Sequence, residues 1–352
     1  MEYTSVKNGP RGLLVPLIAL FLSTFTIFGV SGERVVVDMF GRKVVLPDRV
    51  ERVVSGTPVI TIMVYMLAPD DLVGWNFKPN GKLMREKYLN LPVIGGWFGK
   101  KTGNYETFLA LKPDVYIEGY SNLGEVNKEM LEERQRKMGS IPVVGVRSAA
   151  DVSSYGEVID FLGKVLGKEG EAEKLSQFYH DVLELVRGRL KGISSERRVS
   201  VYYAEGADGL STDPAGAVHS ELIELCGGKN VASIGAKEGF GRVKVSVEQV
   251  LSWNPEIIIT TESEFFKEVF TDQRWAGIEA VKKGRVYLAP REPFGWFDRP
   301  AGINRIPGIL WTAYRLYPGY FDRTTIEKMV HEFYLEFYHY SLGESQLESF
   351  FN

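Results

Sequence analysis

Between Asp151 and about Leu190 the chain offers no strand, while on both sides of that gap strands and helices alternate. Inside the gap, apolar residues recur at helical spacing: Val158, Phe161, Leu162, Val165 and Leu166, then Ala172, Leu175, Phe178, Leu183, Val186 and Leu190. Before it, strand-like runs begin at Arg52, Leu72, Val93, Val115 and Pro142, with helical stretches over about 58–67, 105–111 and 125–138. After it, strands are expected at 199–203, 257–260 and 286–288, and a helix at about 324–340. Such alternation places helices on a mostly parallel sheet. A long strand-free span in the middle belongs to neither sheet. The expected fold is α/β: two α/β lobes with mostly parallel sheets, joined by one long helix, with a cleft between them. The N-terminal lobe is assigned to residues 33–150, a helical connector to 151–192 and the C-terminal lobe to 193–352. No Gly/Ser-rich linker of the kind used by free-swinging domains separates them.

The first 32 residues have a different character. Lys7 and Arg11 precede an uncharged apolar run from Leu13 to Val30, followed by Ser31 and Gly32. A basic segment, an apolar stretch and small residues make a signal peptide, and the run is nearly long enough to remain as an uncleaved membrane anchor. An exported chain, periplasmic or cell-surface, is expected. No cysteine follows the run, which excludes lipid attachment there. Cys226 is the only cysteine, so no internal disulfide forms. A net charge of −3 gives no footprint for nucleic acid. Four scattered histidines and one cysteine make no metal cage, and no Gly-rich phosphate loop opens a helix after a strand.

Two segments share one plan. "NYETFLALKPDVYIEG" (104–119) and "SVEQVLSWNPEIIITT" (246–261) each run from a polar residue through a Glu and a short amphipathic helix to Pro-acidic and an apolar strand. Proline stops each helix. Glu106 and Glu248 therefore occupy equivalent helix starts, where the dipole favours a carboxylate.

With the hairpin expected at 35–46 and "RVVSGTP" at 52–58, these motifs resemble the substrate-binding proteins of ABC importers for iron–siderophores, haem and cobalamin. The matching features run from about residue 33 to 340. The resemblance implies two lobes bridged by a long helix, little lobe closure, and a ligand in a shallow cleft. It also implies that Glu106 and Glu248 dock on arginines of the paired permease subunits. The plainer reading leaves both as helix-start acids.

In such a fold, loops leaving the strand ends line the cleft. "GWNFKPN" (74–80), "GGWFGKKTGN" (95–104), "YYAEGADGLSTDPAGAVHSE" (202–221) and "EPFGWFDRPAG" (292–302) qualify. Their aromatic faces and cations nominate Trp75, Trp97, Tyr203, Arg242, Trp296 and Arg299 as ligand-binding residues, with Arg147 and Phe297 beside them. Trp296, between loop-forming residues, is expected to face the ligand; Arg299 either does so or pairs with Asp298. His219, near a helix start, either meets a chelated metal or a ligand carboxylate, or merely caps and solvates the helix.

The expected function is capture of an iron complex, a siderophore-like chelate, and its delivery to an ABC permease with its ATPase subunits. Haem, a corrinoid or a nickel–amino-acid complex are the alternatives. An enzyme on a chelatase-like or nitrogenase-like two-lobed scaffold is the reading from a different class. No cofactor or catalytic residue is expected, the bound ligand being the metal chelate. The protein is expected to be a monomer that meets the membrane through the permease or an uncleaved anchor.

Overall fold

The computed structural model describes residues 1–2, 32–233 and 241–352. The apolar N-terminal run read as a signal or anchor lies outside the described residues. No helix among the described residues is long and apolar enough to cross a membrane.

The chain opens with an antiparallel hairpin, β1 (Glu33–Val37) and β2 (Lys43–Pro47), in which Val35 faces Val45. Its turn is closed by the Asp38 carboxylate, which accepts from the amides of Phe40 (3.0 Å) and Arg42 (2.9 Å) and from Arg42 Nε (3.0 Å). Gly41 supplies the left-handed residue the turn needs, at φ 77°.

Three parallel strands, β3 (Val53–Ser55), β4 (Val115–Tyr120) and β5 (Val143–Arg147), form the first sheet in the order β3-β4-β5. Between β3 and β4 lie α1 (Pro58–Leu67), α2 (Glu86–Leu89) and α3 (Tyr105–Ala110); α4 (Glu125–Met138) joins β4 to β5. Pro58 opens α1, where its missing N–H costs nothing. All ten residues of α1 are buried, so this helix is apolar all round and lies inside the molecule. The strands expected near Leu72 and Val93 do not form; only the isolated bridges Val53–Leu72 and Trp75–Val93 are made.

The connector holds α5 (Tyr155–Leu166) and the long helix α6 (Glu169–Leu190). Gly167 in the left-handed region (φ 66°) ends α5. Gly163 lets the pair pack closely, since a β-carbon there would lie 2.5 Å from Ala172 Cβ. With 22 residues, α6 spans about 33 Å.

The second sheet is also parallel, in the order β11-β10-β6-β8, from β6 (Ser200–Ala204), β8 (Lys229–Asn230), β10 (Ile257–Thr260) and β11 (Val286–Leu288). β7 (Ser211–Thr212) and β9 (Val243–Lys244) pair antiparallel beside it. Helices α7 (Glu221–Leu225), α8 (Val247–Trp253), α9 (Ser263–Glu268) and α10 (Glu279–Lys282) surround the sheet. The chain then runs through α11 (Ile306–Leu316), α12 (Arg323–Phe337) and α13 (Glu344–Ser349).

The internal repeat is structural as well. Asn104 caps α3 by accepting from Thr107 N (3.1 Å), and Ser246 caps α8 by accepting from Gln249 N (3.2 Å). Lys112 (φ 46°) and Asn254 (φ 42°) turn the chain left-handed before each proline. Asp114 then accepts from the Arg52 amide (2.9 Å), and Glu256 from the Ser200 amide (2.8 Å), tying each motif to a neighbouring parallel strand.

One apolar core runs through both lobes. It takes in Val53 and Ile117 of the first sheet, Val201 and Ile259 of the second, and side chains of α1, α5, α6, α11 and α12. Removing this shared surface from water opposes separation of the lobes.

Candidate functional site

The loops leaving the C-terminal ends of β6 and β11 and the loop before α7 bring five chemically active side chains together. Glu205 directly follows β6, Asp213 follows β7, His219 lies in the turn before α7, and Asp298 and Arg299 belong to the loop after β11. Arg299 stands at φ 41°, a conformation that a non-glycine side chain takes only when its surroundings impose it. Those surroundings are visible: Asn304 Nδ2 donates to the carbonyls of Gly295 and Pro300, and the Trp296 amide donates to Pro290 O (3.0 Å).

Arg299 is the hub. Its Nε donates to Glu205 Oε1 (3.1 Å) and lies 3.2 Å from Asp298 Oδ2, and its Nη2 donates to Asp213 Oδ2 (2.6 Å). Arg242 Nε shares the same Glu205 oxygen (2.7 Å). Asp298 in turn accepts from the Tyr203 hydroxyl (3.1 Å) on Oδ2 and holds His219 Nδ1 at 2.5 Å on Oδ1. The acids are buried, whereas the side chains of His219, Arg299 and Arg242 are 12%, 38% and 40% exposed. The site thus shows solvent a cationic and imidazole surface backed by hidden carboxylates.

Burial, and then contact with Asp213, push Glu205 up to about 8, against the pull of Arg299 and Arg242. Glu205 Oε2 and Asp213 Oδ1 are buried without a hydrogen-bond partner among the described residues, and a proton on Glu205 allows one to donate to the other. Asp298 moves the opposite way. Burial alone would raise it, but the His219 hydrogen bond and the charges of His219 and Arg299 bring it below the usual carboxylate range. An ionised Asp298 makes His219 Nδ1 the donor of their bond. Asp213, His219 and Asp298 also offer three donor atoms within 4.8 Å of one another, a group able to hold a cation, although Arg299 already engages both carboxylates.

In the first lobe, β4 carries another buried acid. Glu118 accepts from Thr57 Oγ1 (2.7 Å) and from the Tyr116 hydroxyl, with Arg134 Nε 3.5 Å away. Burial raises it above the usual range, against those hydrogen bonds. The Arg134 guanidinium lies 3.7 Å from the Trp97 ring centre and donates to the Tyr105 hydroxyl (2.6 Å). Arg147 pairs with Asp151 (3.1 Å).

His219, Arg242 and Arg299 therefore converge. Tyr203 joins them only through its hydroxyl, its ring being buried against Phe297 (4.8 Å between centres). Trp97 is half-buried beneath Arg134 in the other lobe. Two expected aromatic faces are core residues instead. Trp75 is buried against Tyr65 and Phe294 and donates its indole N–H to Tyr88 O (2.7 Å). Trp296 is fully buried, 4.6 Å from the Phe350 ring, and its indole donates to the Tyr334 hydroxyl (3.2 Å). The prolines and glycines do make a loop there, but one folded inward, so Phe294, Trp296 and Phe297 seal the core. Glu106 and Glu248 are exposed in the first turns of α3 and α8. Glu205 and Asp213 were not singled out from the sequence; an acid placed directly after the wholly apolar strand end Val201–Ala204 is the signal that marks Glu205. Open recesses of about 350 and 450 Å³ lie along the outer face of α5 and α6, lined by residues such as Glu173, His180 and Arg187 rather than by the strand-end loops.

A family model described as "Periplasmic binding protein" matches residues 53–293. The molybdate-binding protein MolA of Haemophilus influenzae is 28% identical to this chain, covering 92% of it and 95% of MolA. The Fe(3+)-citrate-binding protein YfmC of Bacillus subtilis is 23% identical, over 72% of this chain and 80% of YfmC. Among solved structures, an ABC transporter solute binding protein from Sulfurospirillum deleyianum superimposes with a TM-score of 0.81 at 34% identity, covering 90% of this chain and 99% of that one. The chain belongs to the periplasmic binding protein family, and its relatives are substrate-binding proteins of ABC transporters rather than enzymes.

Proposed function

We propose that this protein captures a compact, anionic, metal-containing species outside the cytoplasmic membrane and delivers it to an ABC permease. The observation that carries the reading is Arg299, a guanidinium locked in place by three buried carboxylates yet 38% exposed, beside Arg242 and His219. With Glu205 holding a proton at neutral pH, one fewer negative charge opposes Arg242 and Arg299. An incoming anion meets a surface of fixed donors, whose ordering cost is already met. The burial of Trp75 and Trp296 removes the broad aromatic walls a macrocycle would use, which favours a small ligand over haem or a corrinoid.

Two members of this class fit, a tetrahedral oxyanion such as molybdate and an iron chelate such as ferric citrate. The oxyanion needs the arginine pair. The chelate is favoured by the convergence of Asp213, His219 and Asp298, where a donor group could reach an open position on a chelated metal. Glu106 and Glu248, one on each lobe, are the proposed contacts with the two permease subunits. Mass spectrometry and metal analysis of the protein purified from a native-like source test the class. A bound oxyanion or small chelate supports it, and a bound macrocycle overturns it.

A further inference from the structure

Arg305 lies in the turn between Gly302 and α11 and is wholly buried, whereas Arg242 and Arg299 are partly exposed. The Arg305 guanidinium joins three distant parts of the chain. Nη1 donates to Val218 O (2.8 Å), the carbonyl immediately before His219. Nη2 donates to Ala150 O (2.6 Å), where the chain leaves the first lobe, and to Glu221 Oε2 (3.0 Å) at the start of α7. Nε donates to the hydroxyl of Tyr155, the first residue of α5, which itself donates to Gly302 O (2.5 Å). The Glu221 carboxylate closes the circuit by accepting from the Val152 amide (3.2 and 3.1 Å). Ala149, beside Ala150, is held at φ 41°, so the crossing point of the lobes is conformationally restricted where the guanidinium grips it.

We propose that Arg305 is the positioning residue of the binding site: it fixes the Val218 carbonyl and the lobe exit in one frame, so that His219 meets Asp298 only when the two lobes hold their present arrangement. The planar fork of five donors suits this task. Lysine carries the charge but offers three donors at a single point and cannot reach four acceptors on separate segments. The value of the inference to ligand capture rests on the function proposed above; the placement of His219 does not.

The test uses the full chain with Arg305→Lys and Glu221→Gln, the latter loosening the same circuit with little change in packing. The hydrogen-bonded His219 Nδ1 proton is assigned in NMR spectra by its loss in His219→Ala. In Arg305→Lys this resonance should broaden or shift strongly upfield, and affinity for molybdate or ferric citrate, whichever the wild type binds, should fall on the order of 10-fold. If Arg305→Lys fails to fold, Glu221→Gln should still weaken the resonance. A folded Arg305→Lys or Glu221→Gln protein that is less stable but keeps both the resonance and the affinity would overturn the proposal. A wild type that binds neither ligand would refute the ligand class, and the resonance alone would then decide the role of Arg305.

Discussion

Asp298 holds His219: its Oδ1 lies 2.5 Å from the imidazole Nδ1, while its other oxygen accepts from the Tyr203 hydroxyl. The carboxylate is buried, so the two residues behave as one unit. Asp298→Asn replaces an acceptor with a donor or a neutral carbonyl beside both His219 and Arg299. It should cost about 3–5 kcal/mol of stability, the scale of breaking a buried charge pair by removing one partner. Urea melts read that loss. Ligand titration should show weakened binding even at temperatures where the variant remains folded.

Glu205 predicts the pH dependence. Its value in the folded chain, about 8, lies above its ordinary 4.5, so between those limits the folded protein holds a proton that the unfolded chain has released. Its contribution is therefore full below pH 4.5, declines as pH rises toward 8 and is flat above it. The slope for one such proton is at most about 1.4 kcal/mol per pH unit. Melting curves from pH 5 to about 8 should show the decline, and Glu205→Gln should flatten it. A wild type whose stability rises across that window would contradict the assignment.

Trp296 belongs to the core. Trp296→Ala should cost about 3–5 kcal/mol of stability, the usual range for a large aromatic removed from a packed interior. Thermal denaturation measures this. A variant that melted as the wild type does but lost ligand would return the indole to the cleft.

The contrast between Trp296 and α1 explains what the sequence reveals here. The bounds of α1 and β10 follow from short apolar runs ended by proline or polar residues, and those of α4 from Gly124 and Gly139 at its two ends, all of which are local signals. The two-lobed plan follows from the repeat, because proline and a left-handed residue recur at matching places. Which way the 292–302 loop turns its aromatics depends on Tyr334 and Phe350, residues that no local pattern connects to it. The site is non-local for the same reason. His219 meets Asp298 across 79 positions and Arg299 meets Glu205 across 94. Residue type nominated His219, Arg242 and Arg299, but the acids that orient them become visible only when β6 and β11 lie in one sheet.

Glu106 and Glu248 stand exposed on equivalent capped helices, one in each lobe. Reversing both charges should abolish import while leaving ligand affinity unchanged, and wild-type binding to the permease should weaken as salt is raised. Uptake in cells or proteoliposomes, paired with ligand titration, separates the two effects. Normal transport by Glu106→Lys/Glu248→Lys would remove both residues from the interface.

Isothermal titration of the ligand-free protein with molybdate and with ferric citrate, repeated on Arg299→Met and Arg242→Met, tests the capture of a compact metal-containing anion most directly. The wild type should bind at least one of the two. Each loss of a guanidinium should weaken that binding by about 1.5–3 kcal/mol, the scale of a charge-assisted hydrogen bond. Wild-type protein that binds neither compound but takes up haem or a corrinoid would contradict the account, as would binding that survives both substitutions unchanged.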